Sequence, residues 1–285
     1  MARNSLWRLA VSLLATGLLL ASCGTDLPRL EQVGLARVSL QDGHFLQNLA
    51  WSPDGSRLAA TITMGGGDMT PASKIVVVDL STGKLDVPLE VSNAYSWVQA
   101  WSPDGNAIAF AVHPSVGEDS LREGIWTIQM DGSGGLRFVG EGDLAAWSPD
   151  GKRMAIHDIA RNPGTRVWES SIWILDLVTG DKWTAFESDG TFGWKMSWSP
   201  DGRHLAFAHD FRRSASTGLH TDIYVLDIET GALAQISRGG RNDFPTWSPD
   251  GRFLAYVDSG DRIGSQDAII ITPVSYTHLT LPTIY

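Results

Sequence analysis

Five residues, Trp51-Ser52-Pro53-Asp54-Gly55, recur four times along the chain, at Trp101 to Gly105, Trp147 to Gly151, Trp198 to Gly202 and Trp247 to Gly251. Successive tryptophans stand 50, 46, 51 and 49 positions apart. Periods of this size mark a stacked or radial array of one supersecondary unit. Each letter of the motif has a physical reason. Proline presets φ for the second position of a turn, and Asp54, Asp104, Asp150, Asp201 and Asp250 suit the third. Gly55, Gly105, Gly151, Gly202 and Gly251 accept the positive φ needed on leaving it.

Each tryptophan ends one short apolar run and the turn leads into another: Leu58 to Ile62, Ile108 to Val112, Met154 to His157, Leu205 to Ala208 and Leu254 to Val257. That arrangement predicts a hairpin. A third run follows after a polar gap, at Ile75 to Leu80, Ile125 to Met130, Ile172 to Leu177, Ile223 to Ile228 and Ala268 to Thr272. Three of these end in an Asp-apolar-x-Thr-Gly turn, at Asp79 to Gly83, Asp176 to Gly180 and Asp227 to Gly231. A weaker fourth run closes four of the units, at Leu85 to Leu89, Leu136 to Val139, Trp183 to Phe186 and Leu233 to Ile236. Four short antiparallel strands per period predict an all-β chain folded as a β-propeller, with four complete blades and one partial blade.

The tryptophans supply a reason for blades to stack. Burying one indole removes roughly 200 Å² from water, worth about 4 kcal/mol before entropy is counted. A lone blade cannot cover that ring, so Trp51, Trp101, Trp147, Trp198 and Trp247 are expected between adjacent sheets. Five identical copies of Trp, Asp and Gly serve packing and turn geometry rather than one active site. The WSPDG repeats, with a following I-x-V-x-D-L-x-T-G strand, resemble the TolB-type β-propeller repeat over residues 44–273. The resemblance implies a binding propeller, and related propellers have six to eight blades. TolB itself carries an α/β domain ahead of its propeller, for which residues 24–43 offer too little chain.

Residues 1–22 have the form of an export signal. Arg3 and Arg8 precede an apolar stretch from Leu9 to Leu20, shorter than a membrane span. The following Leu20-Ala21-Ser22-Cys23 resembles a bacterial lipobox, which implies lipidation of Cys23, the single cysteine of the chain. Two or more acyl chains hold a protein stably on a bilayer. Residues 23–43 are then a lipid-anchored tether, with Leu35 to Leu40 a candidate strand for closing the last blade. At the other end, residues 274–285 break the repeat and resemble the in-frame translation of a sequencing adapter. They are set aside as a scar, which leads to the expectation that the natural protein runs on.

Loss of Arg3 and Arg8 with the signal takes the formal charge from −10 to −12. No basic stripe is present, so nucleic acid is disfavoured as a partner. Because WSPDG joins the first and second strands, the gaps between second and third strands emerge on the opposite face. These are Thr63 to Ser73, His113 to Glu123, His157 to Ser170, His209 to Thr221 and Asp258 to Gln266. The segments entering each first strand bring Gln47, Trp97, Asp143, Trp194 and Asp243 to that face. With His113, His157, Asp158, His209, Asp210 and Asp258 opening the gaps, this is the candidate binding face. The histidines and carboxylates suggest a metal at the channel mouth. They fall on different positions of each blade, however, and capping of strand ends is the more ordinary role, so no metal ligand and no cofactor is assigned. Gly65-Gly66-Gly67 and Gly132-Ser133-Gly134-Gly135 lack the residues of a phosphate loop. Asp131 stands where a nucleophile elbow needs glycine, so Ser133 is not assigned as one.

The sequence therefore points to a non-catalytic, lipid-anchored extracytoplasmic propeller that binds a protein or a cell-envelope component. Two enzymatic alternatives stay open: the propeller part of a prolyl-oligopeptidase-like serine peptidase, and a metal-dependent propeller lyase.

Overall fold

The computed structural model describes residues 11–14, 35–38, 44–64, 72–115, 121–161, 168–211, 220–260 and 267–274. Strands β1 (Val11–Leu14) and β2 (Leu35–Val38) pair antiparallel with each other. The segment expected to close the last blade thus does form a strand, but it pairs with residues read as the export signal. Cys23 lies outside the described residues.

Blade 1 comprises β3 (His44–Trp51), β4 (Arg57–Met64), β5 (Ala72–Asp79) and β6 (Leu85–Ser92). Blade 2 comprises β7 (Ala94–Trp101), β8 (Ala107–Pro114), β9 (Gly124–Gln129) and β10 (Leu136–Gly140). Blade 3 runs through β11 (Leu144–Trp147), β12 (Arg153–Arg161), β13 (Trp168–Asp176) and β14 (Lys182–Asp189). In blade 4 the strands are β15 (Thr191–Trp198), β16 (His204–Asp210), β17 (Asp222–Asp227) and β18 (Leu233–Gln235). Blade 5 has three, β19 (Asn242–Trp247), β20 (Phe253–Asp258) and β21 (Ala268–Pro273). Strands within each blade are antiparallel neighbours in chain order, the meander of a propeller blade.

The repeated turn forms as its sequence requires. In every copy the glycine N–H bonds back to the serine carbonyl, as in Gly55 N to Ser52 O at 2.9 Å, and every motif glycine has φ near +70°. The serine hydroxyl donates to the aspartate, as in Ser52 Oγ to Asp54 Oδ1 at 2.6 Å, and accepts the N–H five residues on. This closed loop of bonds explains why serine and aspartate recur with proline and glycine.

The second strand of blades 1 to 4 is buried on both faces over most of its length, and its alternation is small against large. Ala59, Ala109, Ala155 and Ala206 face the next blade, where they meet bulky side chains. Ala59, Ile75 and Val77 receive Trp101, Ile108 and Phe110, and Ala155, Ile172 and Ile174 receive Trp198, Leu205 and Phe207. The same interleaving forms the seams between blades 2 and 3 and between blades 4 and 5. Close packing of small against large is what a dense, dry seam requires.

Three of the five indoles are buried in seams: Trp101, Trp198 and Trp247. Each donates its N–H to the carbonyl just before the tryptophan of the preceding blade, at Ala50, Ala146 and Ser197, over 3.0, 3.0 and 3.1 Å. Trp51 departs from the expectation and is 61% exposed, since no described blade precedes it. Trp147 is half-buried, and its N–H is buried without a partner. The residue six positions after each tryptophan accounts for part of this difference. Arg57 stacks on Trp101 at 4.6 Å, Arg153 on Trp198 at 5.2 Å, and His204 lies 6.5 Å from the Trp247 ring. The residue at the corresponding position of blade 2 is Ala107, whose methyl group cannot stack on an indole as an arginine does.

Val274 packs into the seam between blades 4 and 5, so the ordered repeat extends one residue into the stretch set aside by sequence. Residues 275–285 lie outside the described part of the chain.

Candidate binding face

The face opposite the WSPDG turns is built from the starts of the inner strands and the ends of the second strands. Four of the five inner strands carry a bulge there, between Gln47 and Ala50, Val98 and Ala100, Phe192 and Met196, and Asp243 and Thr246. A bulge re-aims the side chains beside it. Asn48 and Phe244 sit in these bulges at positive φ, an uncommon state for a residue with a β-carbon. Trp194, at another bulge, is 67% exposed.

Gln47, Trp97, Asp143, Trp194 and Asp243 each stand four residues before a motif tryptophan. The Trp97 indole donates to Gln47 Oε1 at 3.1 Å, and the Trp194 N–H donates to both carboxylate oxygens of Asp243 at 3.1 Å. His113 bridges blades 2 and 3, its Nε2 lying 3.6 Å from Asp143 Oδ1 and its Nδ1 3.4 Å from Glu123 Oε1. The Trp97 ring meets the His113 ring edge-on at 4.8 Å, and Tyr95 stacks on Trp97 at 6.2 Å. Trp97, His113 and Asp143 thus form one contact group and Trp194 and Asp243 a second.

Carboxylates here are held above their usual range. Burial is the main cause for Asp143, partly offset by His113 and reinforced by Asp158 and Glu123. Asp158 is raised by burial and then by Glu141. Asp243 is raised by burial against the opposing effect of the Phe244 and Trp194 N–H groups. Asp158 also lines a cavity of about 470 Å³ with Glu169, Ser170, Ser171, Glu187, Ser188 and Asp189. Lys195, beside Trp194, keeps solvent access while the protein around it lowers its pKa by desolvation.

Three expected members of the face do not belong to it as exposed groups. The second strands run to Pro114, Arg161 and Asp210, so the histidines lie inside strands rather than at loop openings. His157 and His209 are buried, and Asp210 is buried beside them. Burial pushes the His157 pKa down to about 3 and that of His209 to about 4. Asp258 stays half-buried in blade 5, where it accepts the Gly260 N–H at 2.8 Å. Among the described residues no three histidine, cysteine or acidic side chains are grouped to hold a metal. Sequence reasoning missed Tyr95, Glu141, Lys195 and Phe244. Their signal is positional: Tyr95 and Glu141 share the place six before a motif tryptophan, and Lys195 and Phe244 the place three before one.

No family model matches the chain. Dipeptidyl-peptidase 5 of Porphyromonas gingivalis is 26% identical over 151 residues, covering 49% of this chain and 20% of that protein. The chain thus spans about a fifth of the length of that curated relative. Among solved structures, TolB from Acinetobacter baumannii superposes with a TM-score of 0.59 at 21% identity, over 84% of this chain and 54% of the other. Oligogalacturonate lyase from Vibrio parahaemolyticus gives a TM-score of 0.60 at 17% identity, over 88% and 71%. At these identities the likeness shows the fold, a TolB-like β-propeller.

Proposed function

We propose that this TolB-like propeller is a non-catalytic scaffold of the bacterial cell envelope, held to a membrane through a lipid on Cys23 and facing the periplasm or the cell exterior. Its partner is a protein or an envelope component that docks on the face opposite the WSPDG turns. One observation carries the reading: aromatic and acidic residues at one position of consecutive blades, tied across blades 1 to 3 and again between blades 4 and 5, with Trp194 left open to solvent. Rigid strands present such recognition groups at fixed spacing. The formal charge of −10 argues against nucleic acid.

A photo-crosslinking amino acid at position 194 or 243, in cells expressing the full chain, is expected to capture a discrete partner. The same probe at Asn106, on the turn face, is expected to capture none. Equal capture from both faces would remove the binding-face assignment. Labelling with a fatty-acid analogue, lost in Cys23→Ser, checks the anchor.

The dipeptidyl-peptidase relative favours a second reading, in which these blades form the propeller of a serine peptidase, and the lyase likeness a third, a metal-dependent lyase. Release of dipeptides, or of unsaturated oligogalacturonides in the presence of a divalent metal, would establish one or the other.

A further inference from the structure

We propose that His157 and His209 form an acid-sensitive latch between blades 3 and 4: the seam stays closed only while both imidazoles are neutral, and acidification opens it before any other seam. His157 stacks on Phe192 of blade 4 with ring centroids 4.0 Å apart. Phe192 in turn meets His209 edge-on at 6.1 Å, and Phe186 of blade 3 meets His209 at 5.5 Å. Both rings are buried, and all four of their nitrogens are without a hydrogen-bond partner among the described residues. A β-carbon on Gly190 would come within 2.8 Å of His209 Cε1, so the backbone closes over that ring.

The charged residues on the surrounding elements include Asp143, which just precedes β11, Arg153 and Asp158 on β12, Glu169 and Asp176 on β13, and Lys182, Glu187 and Asp189 on β14. Lys195 lies on β15, His204 and Asp210 on β16, and Asp222 and Asp227 on β17. None of them hydrogen-bonds an imidazole nitrogen of the pair. Asp210 draws the His209 proton affinity up without overcoming burial, and His209 pushes that of His157 further down.

The other seam histidines are arranged in the opposite way. His113, between blades 2 and 3, has Glu123 and Asp143 within 3.4 and 3.6 Å. His204, against Trp247 at the seam of blades 4 and 5, has Asp201 and Asp227 at 3.7 and 3.8 Å. Two carboxylates thus stand within 3.8 Å of each of those rings, whereas no carboxylate hydrogen-bonds a nitrogen of His157 or His209.

The sign follows from linkage. With the closed-seam pKa values below the ordinary 6.5, the closed seam binds fewer protons than the open one. The contribution to closure is fully present above about pH 6.5 and is lost as pH falls toward the closed-seam values. Opening therefore rises by up to about tenfold per pH unit for each histidine, and about a hundredfold for the pair. The raised carboxylates Asp143, Asp158 and Asp243 act with the opposite sign, since they gain protons in the closed state. The seam divides the candidate face, with Asp143 on one side and Trp194 and Asp243 on the other, so opening changes the spacing between the two groups.

Hydrogen exchange of the full chain, corrected for intrinsic rates, tests the latch between about pH 7.5 and pH 5. Opening of β12, β15 and β16 is expected to rise at least tenfold while β4 and β8 change little, and His157→Leu/His209→Leu should flatten the response. No rise, or an equal rise in every seam, overturns the proposal. Should the double variant not fold, each single variant is expected to halve the slope. Imidazole titration by NMR gives an independent check: both rings titrating near 6.5 with unchanged exchange would also overturn it.

Discussion

The two ends of the blades use aspartate in opposite ways. On the turn face, Asp54 and Asp250 are held down to about 2, with the neighbouring serine hydroxyl as the largest cause, and Asp104 and Asp150 are lowered for the same reason. On the other face, burial raises Asp143, Asp158 and Asp243. One side of the molecule satisfies its charges locally in five near-identical copies. The other side withdraws its carboxylates from water in arrangements that differ from blade to blade. Perturbed, partly desolvated groups in non-repeating settings are the pattern of recognition sites, and satisfied repeating ones that of scaffolding.

The sharpest way to break this contrast compares two tryptophans four residues apart. Trp198→Ala empties a seam and should cost about 4 kcal/mol in urea unfolding, whereas Trp194→Ala should stay within about 0.5 kcal/mol and instead weaken partner capture. Equal losses would mean the exposed face is also structural. Next in size, Gly202→Ala forces a β-carbon onto a residue with φ of +68° and brings it 3.4 Å from Arg153 Nη2. About 1–2 kcal/mol should be lost, with no change in binding. Ala107→Arg should act the other way, giving Trp147 the cover that Arg57 gives Trp101, for a gain of about 0.5–1 kcal/mol in the same assay.

The smallest effect is expected at Asp243. Its raised pKa means that closure is favoured below the ordinary carboxylate value and that this contribution is lost as pH rises through the folded value. Asp243→Asn should therefore leave stability at pH 7 unchanged or up by less than about 0.5 kcal/mol and flatten the acid limb. The turn aspartates, with lowered values, contribute stability above about pH 4 that disappears toward pH 2. Unfolding midpoints across that range separate the two groups.

The blades were legible because proline, glycine and a large aromatic residue constrain local geometry strongly. Each of the fourteen runs given bounds by sequence overlaps an observed strand, and each motif tryptophan ends one. The placement of the histidines was not legible. A polar residue at the end of an apolar run, as in Ile156-His157-Asp158, reads as the start of a loop, and only the neighbouring blade shows that the strand continues with the ring turned inward. The small-large alternation of the second strands escaped for the same reason, since Ala59 and Leu58 are both apolar and only the partner surface separates their roles. Gln47, Trp97, Asp143, Trp194 and Asp243 were legible as a set because each stands four residues before a motif tryptophan.

The bond from each seam indole ends on a backbone oxygen, at Ala50, Ala146 and Ser197, and so ignores which side chain that residue carries. A joint of that kind is an interchangeable coupling. Duplicating or exchanging a unit preserves it without matching changes in the neighbour, which lets the rim of each unit diversify while the hub stays the same.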